Sequence, residues 1–151
     1  MELVERLGAA QDTVLQNASE TLGRTHLPHY RASGPTETHR RLEDLFVLVI
    51  QCLAERTLVP MSRYAEAVAE ERFDAGFDIA EVQTAFNVLE EAIWRSVMAD
   101  LPPEDLVAAA GLIGTVLGAG KDELARKWVS LATCQHVATL DLSALFQGAA
   151  G

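Results

Sequence analysis

The sequence predicts an all-α fold, and three observations support this prediction. Apolar residues recur at three- and four-residue spacing along most of the chain, no segment alternates apolar and polar residues for long, and no Asn-Gly or Asp-Gly hairpin turn occurs. A length of 151 residues with 49% apolar composition is enough to build one hydrophobic core. We therefore expect a single domain over residues 1–151, a bundle of about five to six helices.

The N-terminal helix is expected over residues 1–22. Leu3, Leu7 and Val14 recur at helical spacing, and Gly23 is a suitable end. The following stretch, residues 24–35, contains two prolines, a glycine, two histidines and a tyrosine. This composition is typical of a loop, and it is too long for a tight turn.

Three helices are expected in the central segment, residues 36–100. The first begins near Thr36 and ends before Pro60, and its charged side, which includes Arg41, is expected to face outward. The second begins at Pro60 and is closed by Gly76. The third begins at Asp78, where a glutamate three residues later resembles a capping box. Its apolar stripe is the most regular in the sequence: Ile79, Val82, Phe86, Leu89, Ile93 and Val97.

The C-terminal helical region is expected over residues 103–146, after the Pro102-Pro103 break. We expect a second break or a kink near Gly118-Ala119-Gly120, because each glycine inside a helix costs about 1 kcal/mol relative to alanine. Gly111, Gly114 and Gly118 share one helical face without side chains. That face would allow a neighbouring helix to approach closely.

The charge of the chain excludes some classes of partner. Twelve Lys and Arg against 22 Asp and Glu give a net charge of -10, which repels nucleic acid and anionic membrane surfaces. The uncharged stretch 106–120 has only fifteen residues and is too short to span a membrane. We expect a cytoplasmic protein, because there is no secretory leader and because Cys52 and Cys134 lie among apolar residues, as buried thiols do. The apolar content is high for so acidic a chain, which suggests that a second copy covers part of the surface.

Two local patterns resemble binding motifs but lack essential residues. Gly118-Ala119-Gly120-Lys121 resembles the end of a phosphate-binding loop, but Thr115 replaces the required first glycine and Asp122 the required Ser or Thr. The histidines lack neighbouring ligands at metal spacing, and we expect surface positions for His26, His29, His39 and His136. We expect neither a metal nor a cofactor.

Acidic residues are concentrated in the central helices, and a solvated face explains them better than a metal site does. Glu-x-x-His pairs, which di-iron bundles use, do not occur. The acidic residues on this expected surface are Glu66, Glu70, Glu71, Asp74, Asp78, Glu81, Glu90 and Glu91. Arg72 has two open interpretations. It could form a structural ion pair with Glu81 or with the start of the next helix, or it could be a surface arginine that buries only the apolar part of its side chain.

The segment from Arg63 to Val82, followed by Phe86-Asn87-Val88-Leu89 and Ile93-Trp94, resembles the N-terminal sensor domain of the RsbR and RsbRD co-antagonist proteins, which are bacterial stress regulators. The shared pattern is a helix that ends in Glu71-Arg72, a glycine turn at Gly76-Phe77, and an acidic helix start at Ala80-Glu81-Val82. The resemblance is clearest over residues 42–97 and carries no catalytic signature.

This resemblance implies a globin-like helical fold without haem, dimerisation through the terminal helices, and transfer of a signal to an output domain. It is compatible with a stand-alone sensor and with a piece of a longer protein. The structural motif would comprise Arg72, Gly76, Asp78 and Glu81.

The function we expect from the sequence is a non-enzymatic, homodimeric sensing domain that responds to a small apolar ligand or a partner protein. The expected ligand pocket is lined by Phe46, Val49, Tyr64, Val68, Phe86, Leu89 and Ile93. The expected dimer interface contains Leu3, Leu7, Val14, Leu124, Trp128 and Leu131. Two alternatives are a pure dimerisation module without a ligand and a haem-binding globin-type sensor.

Overall fold

The computed structural model describes the backbone of residues 2–150 and the side chains of residues 2–97 and 99–134. Helices make up nearly all of this part, and no strand occurs in it, which confirms the predicted all-α fold. The helices are α1 (Glu2–Ala9), α2 (Gln11–Arg24), α3 (Pro28–Ser33), α4 (Pro35–Glu55), α5 (Val59–Asp74), α6 (Ile79–Ser96) and α7 (Pro103–Ala150), with a 3-10 turn at Met98–Asp100 between α6 and α7.

The N-terminal third is more divided than the sequence predicts. The expected first helix is interrupted at Ala10, whose N–H lies within hydrogen-bonding distance of the carbonyl oxygens of both Arg6 and Leu7 (3.1 and 3.2 Å). The expected loop over residues 24–35 was also wrong in part, because it contains α3. Pro28 stands in the first turn of that helix, where its missing N–H costs nothing.

The C-terminal third is less divided than expected, because α7 continues through Gly118-Ala119-Gly120 without a break. Gly120 is buried, and a Cβ atom there would lie 2.7 Å from Phe86 Cε2 and 2.8 Å from Met61 Sδ. The glycine therefore serves close packing of α7 on α5 and α6. Gly111, Gly114 and Gly118 have no neighbouring atom within 4 Å of a Cβ, so the close helix approach expected at their face does not occur within the described residues.

The core is a single cluster of apolar side chains between the helices. α7 packs most extensively against α5, while α2 packs against α6 and α4. The largest completely enclosed side chains include Phe46, Met61, Leu89, Ile113 and Leu124. Each of these, once buried, contributes roughly 1.5–3 kcal/mol relative to an exposed position.

Candidate functional site

The turn between α5 and α6 contains the residues that the sequence predicts as a helix end and a helix start. Gly76 has φ +83°, and its N–H donates to the carbonyl of Phe73 (3.1 Å) while the next N–H, of Phe77, donates to the carbonyl of Arg72 (2.9 Å). This pair of bonds is a Schellman motif, which requires a residue such as glycine in the left-handed region. Asp78 Oδ1 then accepts from the N–H of Ala80 (2.9 Å) and caps α6. The predicted end at Gly76 and start at Asp78 are both confirmed.

Phe77, which the turn presents, is the centre of a buried cluster. Its ring stacks on His29 with 4.7 Å between centroids and meets the edge of Tyr30 at 5.4 Å. The guanidinium carbons of Arg41 and Arg72 lie 5.5 and 5.6 Å from its centroid. Both distances are within the range of cation–π attraction. The turn thus joins α3, α4 and α5 around one aromatic ring.

Glu81 departs from the solvated face predicted for the acidic residues, since it is only 6% exposed. Its Oε1 lies 2.8 Å from His29 Nδ1, and its Oε2 accepts from the backbone N–H of His29 (3.3 Å). A buried carboxylate needs such partners, because its desolvation is otherwise very costly. His29 is accordingly not the free surface histidine that the sequence predicts, although its side chain is 37% exposed. Of the other acidic residues, Glu66, Glu70, Glu71, Asp74, Asp78 and Glu91 are exposed and Glu90 is half-buried.

Arg72 is one of two arginines whose side chains are largely shielded from solvent. It is 5% exposed, its Nη1 lies 2.6 Å from Glu71 Oε1, and its Nε has no hydrogen-bond partner among the described residues. The ion pair expected with Glu81 is replaced by this pair with Glu71, because the Glu81 carboxylate binds His29.

Arg41 was predicted to face outward, and that prediction is wrong. Its side chain is 15% exposed, its Nη1 donates to Ser33 Oγ (3.0 Å), and its Nε lies 3.4 Å from Glu37 Oε1. Burial lowers the pKa of Arg41, and the neighbouring positive charge of Arg72 lowers that pKa further. The buried Arg72 and the half-buried Arg41 therefore lie close enough for their positive charges to repel each other.

The two arginines border a small, partly open cavity of about 10 Å³, which is room for one water molecule. Two phenols, Tyr30 and Tyr64, also line it. Burial raises the pKa of Tyr30 and raises that of Tyr64 to about 12, so both phenols keep their protons at neutral pH. The remaining wall is apolar: Leu42, Leu45, Val68, Val82, Ala85 and Phe86.

The sequence located part of this cavity. Tyr64, Val68 and Phe86 of the expected ligand pocket line it, whereas Phe46, Val49, Leu89 and Ile93 are buried without lining it. Tyr30, Arg41 and Arg72 were not expected at a pocket, although Arg72 was part of the expected structural motif. Helical spacing contained a signal for them: Arg41 lies four residues before Leu45, and Arg72 lies four residues after Val68, so each shares a face with a core residue.

The residues expected at the dimer interface are mostly inside the chain's own core. Leu3, Leu7, Val14 and Leu124 are at most 8% exposed, so their side chains are not available at the surface. Trp128 is half-buried and meets the ring of Phe73 edge-on at 5.5 Å between centroids. Leu131 is also half-buried.

Exposed apolar surface lies instead on the outer side of α7. An open groove of about 750 Å³ runs between the end of α4 and α7, and Leu58 (39% exposed), Leu112 (44%) and Val116 are among its apolar lining residues. Val107, one turn from this groove, is 80% exposed. The glycine face of α7 contributes Gly111 to the same groove.

The remaining sequence candidates lie apart from the cavity. His26 is exposed, His39 Nδ1 lies 3.1 Å from Ser19 Oγ, and His136 falls outside the described side chains. Cys52 is buried as expected, but Cys134 is exposed, contrary to the prediction. Lys121 donates to Asn87 Oδ1 (3.0 Å) and thereby joins α7 to α6.

Neither a metal-binding cluster nor a membrane-spanning helix occurs among the described residues. No group of three or more His, Cys, Asp or Glu side chains is placed to hold a metal ion in the part of the chain that the structure describes. Among the same residues, none of the helices combines the length and the apolar composition that crossing a membrane requires.

A comparison with protein families matches residues 12–127 to the model of the RsbT co-antagonist protein rsbRD N-terminal domain. The matched range contains α2 to α6, the Phe77 cluster and the cavity. The last part of α7, from residue 128 onward, lies outside it. A search of curated proteins finds no match.

Proposed function

This chain belongs to the RsbT co-antagonist rsbRD N-terminal domain family, a family of bacterial stress-response regulatory domains, and from that premise we propose that it is a homodimeric sensor. In this proposal a ligand or a partner protein changes the packing around the α5–α6 turn, and α7 carries the change to the far end of the domain. No chemical step is part of this function. The observation that supports it most is the continuity of α7.

A continuous helix of 48 residues is about 72 Å long, against about 31 Å for the 21 residues of α4. Leu124 is the last completely enclosed side chain among the described residues, and the helix continues for a further 26 residues to Ala150. A helix that is packed in the core at one end and extends beyond it can transmit a small shift or rotation.

α7 is coupled to α5, which carries Arg72 at its end. Lys127 Nζ lies 3.0 Å from Glu70 Oε1 and 3.6 Å from Glu66 Oε1, and Trp128 packs on Phe73 in the same helix. Phe73 is the residue next to Arg72. A rearrangement of the Arg72 environment therefore has a short route to α7.

The dimer interface in this proposal lies on the groove between α4 and α7. A chain with net charge -10 opposes self-association wherever its acidic surface meets its copy. Residues 106–120 of α7 contain no charged side chain, and Val107 and Leu112 are exposed on this part. The lining of the groove includes Arg56 but no acidic residue, so this surface offers apolar contact without repulsion between carboxylates.

A pure dimerisation module is the second candidate, and the small volume of the cavity favours it. A cavity of about 10 Å³ has no room for a drug-sized ligand, which needs a pocket of roughly 300–1,000 Å³. A sensor that binds an organic ligand in this cavity would therefore have to open its core. A module that only associates requires no such opening.

The oligomeric state of the purified chain tests the proposal. Native mass spectrometry at micromolar concentration should give a species of twice 16.4 kDa. Leu112→Glu should shift that species to the monomer, because it places a new negative charge on the apolar face of an already acidic chain. Val47→Glu is the matched control, since Val47 is similarly exposed (49% against 44%) but does not line the groove. A wild-type monomer would refute the dimer, and an equal effect of both substitutions would refute the assigned face.

A further inference from the structure

We infer that the cavity between α3, α4, α5 and α6 is a binding site for one small monovalent anion, held by the guanidinium groups of Arg41 and Arg72. This extends the proposed sensing function by naming a ligand class, and it rests on that function only for its biological meaning. Anion binding to the cavity is a property of the fold and can be measured separately.

The balance of buried charge is the first argument. Arg72 is 5% exposed and Arg41 has a side chain 15% exposed, whereas Glu81 is the buried carboxylate of this cluster and is bonded to His29. The carboxylates that contact the arginines, Glu71 and Glu37, have side chains 63% and 37% exposed and lie on the solvent side. One buried cation, Arg72, and one half-buried cation, Arg41, thus line one cavity that contains no acidic lining residue. An anion in the cavity would remove this repulsion.

Unused hydrogen-bond donors are the second argument. Arg72 Nε is buried, lacks a partner among the described residues, and belongs to a side chain that lines the cavity. A buried donor without an acceptor destabilises the fold, and more so when the group is charged. Tyr30 and Tyr64 add two phenols that are donors at neutral pH, because burial raises the pKa of each. The polar side chains of the wall are therefore suited to an occupant that accepts hydrogen bonds.

The shape of the site sets the size of the anion. About 10 Å³ holds one water-sized occupant, and the rest of the wall is apolar, including Leu42, Val68 and Phe86. Apolar walls lower the local dielectric constant, so the attraction between an anion and two guanidiniums is stronger there than at the surface. A halide ion is a compact occupant of this class, but chloride and bromide are larger than water, so they require slight widening of the cavity, and a small carboxylate such as formate requires more. The shared chemistry is a compact, singly charged acceptor.

The test uses bromide, whose anomalous scattering identifies its position in a crystal of the full chain. Crystals grown in sodium bromide should show a peak between Arg41 and Arg72. A crystal of the same form with no peak there would overturn the inference, whatever other bromide sites appear. Crystals grown in bromide with excess formate distinguish a site that also binds a small carboxylate from a site that binds halide ions. Loss of the peak shows that a carboxylate competes for the site, and retention of the peak assigns the site to halide ions.

Binding in solution is measured by the stabilisation of the chain in sodium bromide relative to sodium gluconate at equal ionic strength. Arg72→Met and Arg41→Met should weaken the apparent bromide affinity by about tenfold to a hundredfold, because each removes one charged donor. Arg95→Met is the matched control, since Arg95 has a side chain 71% exposed and, within the described residues, forms its ion pair with Glu91. If Arg72→Met does not fold, Arg41→Met and the wild-type crystal decide the question. Equal bromide affinity in Arg41→Met and Arg95→Met would overturn the inference. A failure here would leave the dimer and the coupling of α7 untouched, because neither assay measures them.

Discussion

Two glycines that lie two residues apart on different faces of α7 allow a sharp test of how this helix packs. In Gly120→Ala the new Cβ would lie 2.7 Å from Phe86 Cε2 and 2.8 Å from Met61 Sδ, and both side chains are buried. In Gly118→Ala the new Cβ would meet no atom within 4 Å. Both substitutions gain the helix propensity of alanine, about 1 kcal/mol relative to glycine. Only Gly120→Ala incurs the cost of overpacking, typically 1–3 kcal/mol.

We expect Gly118→Ala to be more stable than the wild type by up to about 1 kcal/mol. Gly120→Ala should be less stable than Gly118→Ala by about 1–3 kcal/mol, because the propensity terms cancel in that comparison. Urea unfolding followed by circular dichroism measures both free energies of unfolding, and a difference of 1 kcal/mol corresponds to roughly 2–4 °C in Tm for a chain of this size. Equal stability of the two variants would show that α7 does not approach α5 and α6 as described.

Three further predictions concern the cluster and the cavity. Phe77→Ala should lower the free energy of unfolding, measured by urea titration, by about 3 kcal/mol, because it removes the ring that His29, Tyr30 and both arginines contact. A loss of stability no larger than that of an ordinary surface substitution would contradict the role of the ring. Burial raises the pKa of Tyr64 in the folded chain to about 12 from 10.0, so the unfolded chain loses this phenol proton first as the pH rises. The stability linked to this group is therefore present below pH 10 and is lost as the pH rises toward about 12. Tyr64→Phe should remove this part of the loss of stability at alkaline pH. For the haem alternative we expect no Soret band in freshly purified protein, since the described histidines lie away from the cavity lining; a Soret band that persists through purification would support that alternative.

Helical periodicity was sufficient to predict the fold class and the start and end of the central helices. The turn at Gly76 and the cap at Asp78 depend on local chemistry, a left-handed φ and a side chain that accepts from a nearby N–H. Such features are encoded within a few residues. They were therefore predictable without knowledge of the tertiary packing.

The errors arose where tertiary packing overrides local propensity. Glycine at position 120 lowers helix propensity, but the contact with Phe86 and Met61 explains why α7 retains it without breaking. Glu81 resembles a surface acid in the sequence, and it is buried only because α3 brings His29 over it. That short helix lies in a segment that looked like a loop. Its contact with α6 spans 52 positions of the chain, which no local pattern reports.

The candidate site combines residues of both kinds. Tyr64, Val68 and Phe86 follow apolar spacing and were expected to line a pocket. Arg41 was wrongly expected to face outward because of its charge, and Arg72 was left with two open interpretations. Charge is a strong indicator of exposure on average. It fails where an aromatic ring such as Phe77 provides a partner for the cation inside the fold.

The measurement that tests the central claim most directly is a distance across the proposed dimer between the two copies of Cys134 in α7. Cys134 is exposed and Cys52 is buried, so a spin label can be attached selectively at position 134 of the natural sequence. Pulsed electron spin resonance should give one distance between the two labels of a dimer, and that distance should change in Arg72→Met but not in Arg95→Met. A label pair without dipolar coupling, or a distance identical in all three proteins, would contradict a dimer that signals through α7.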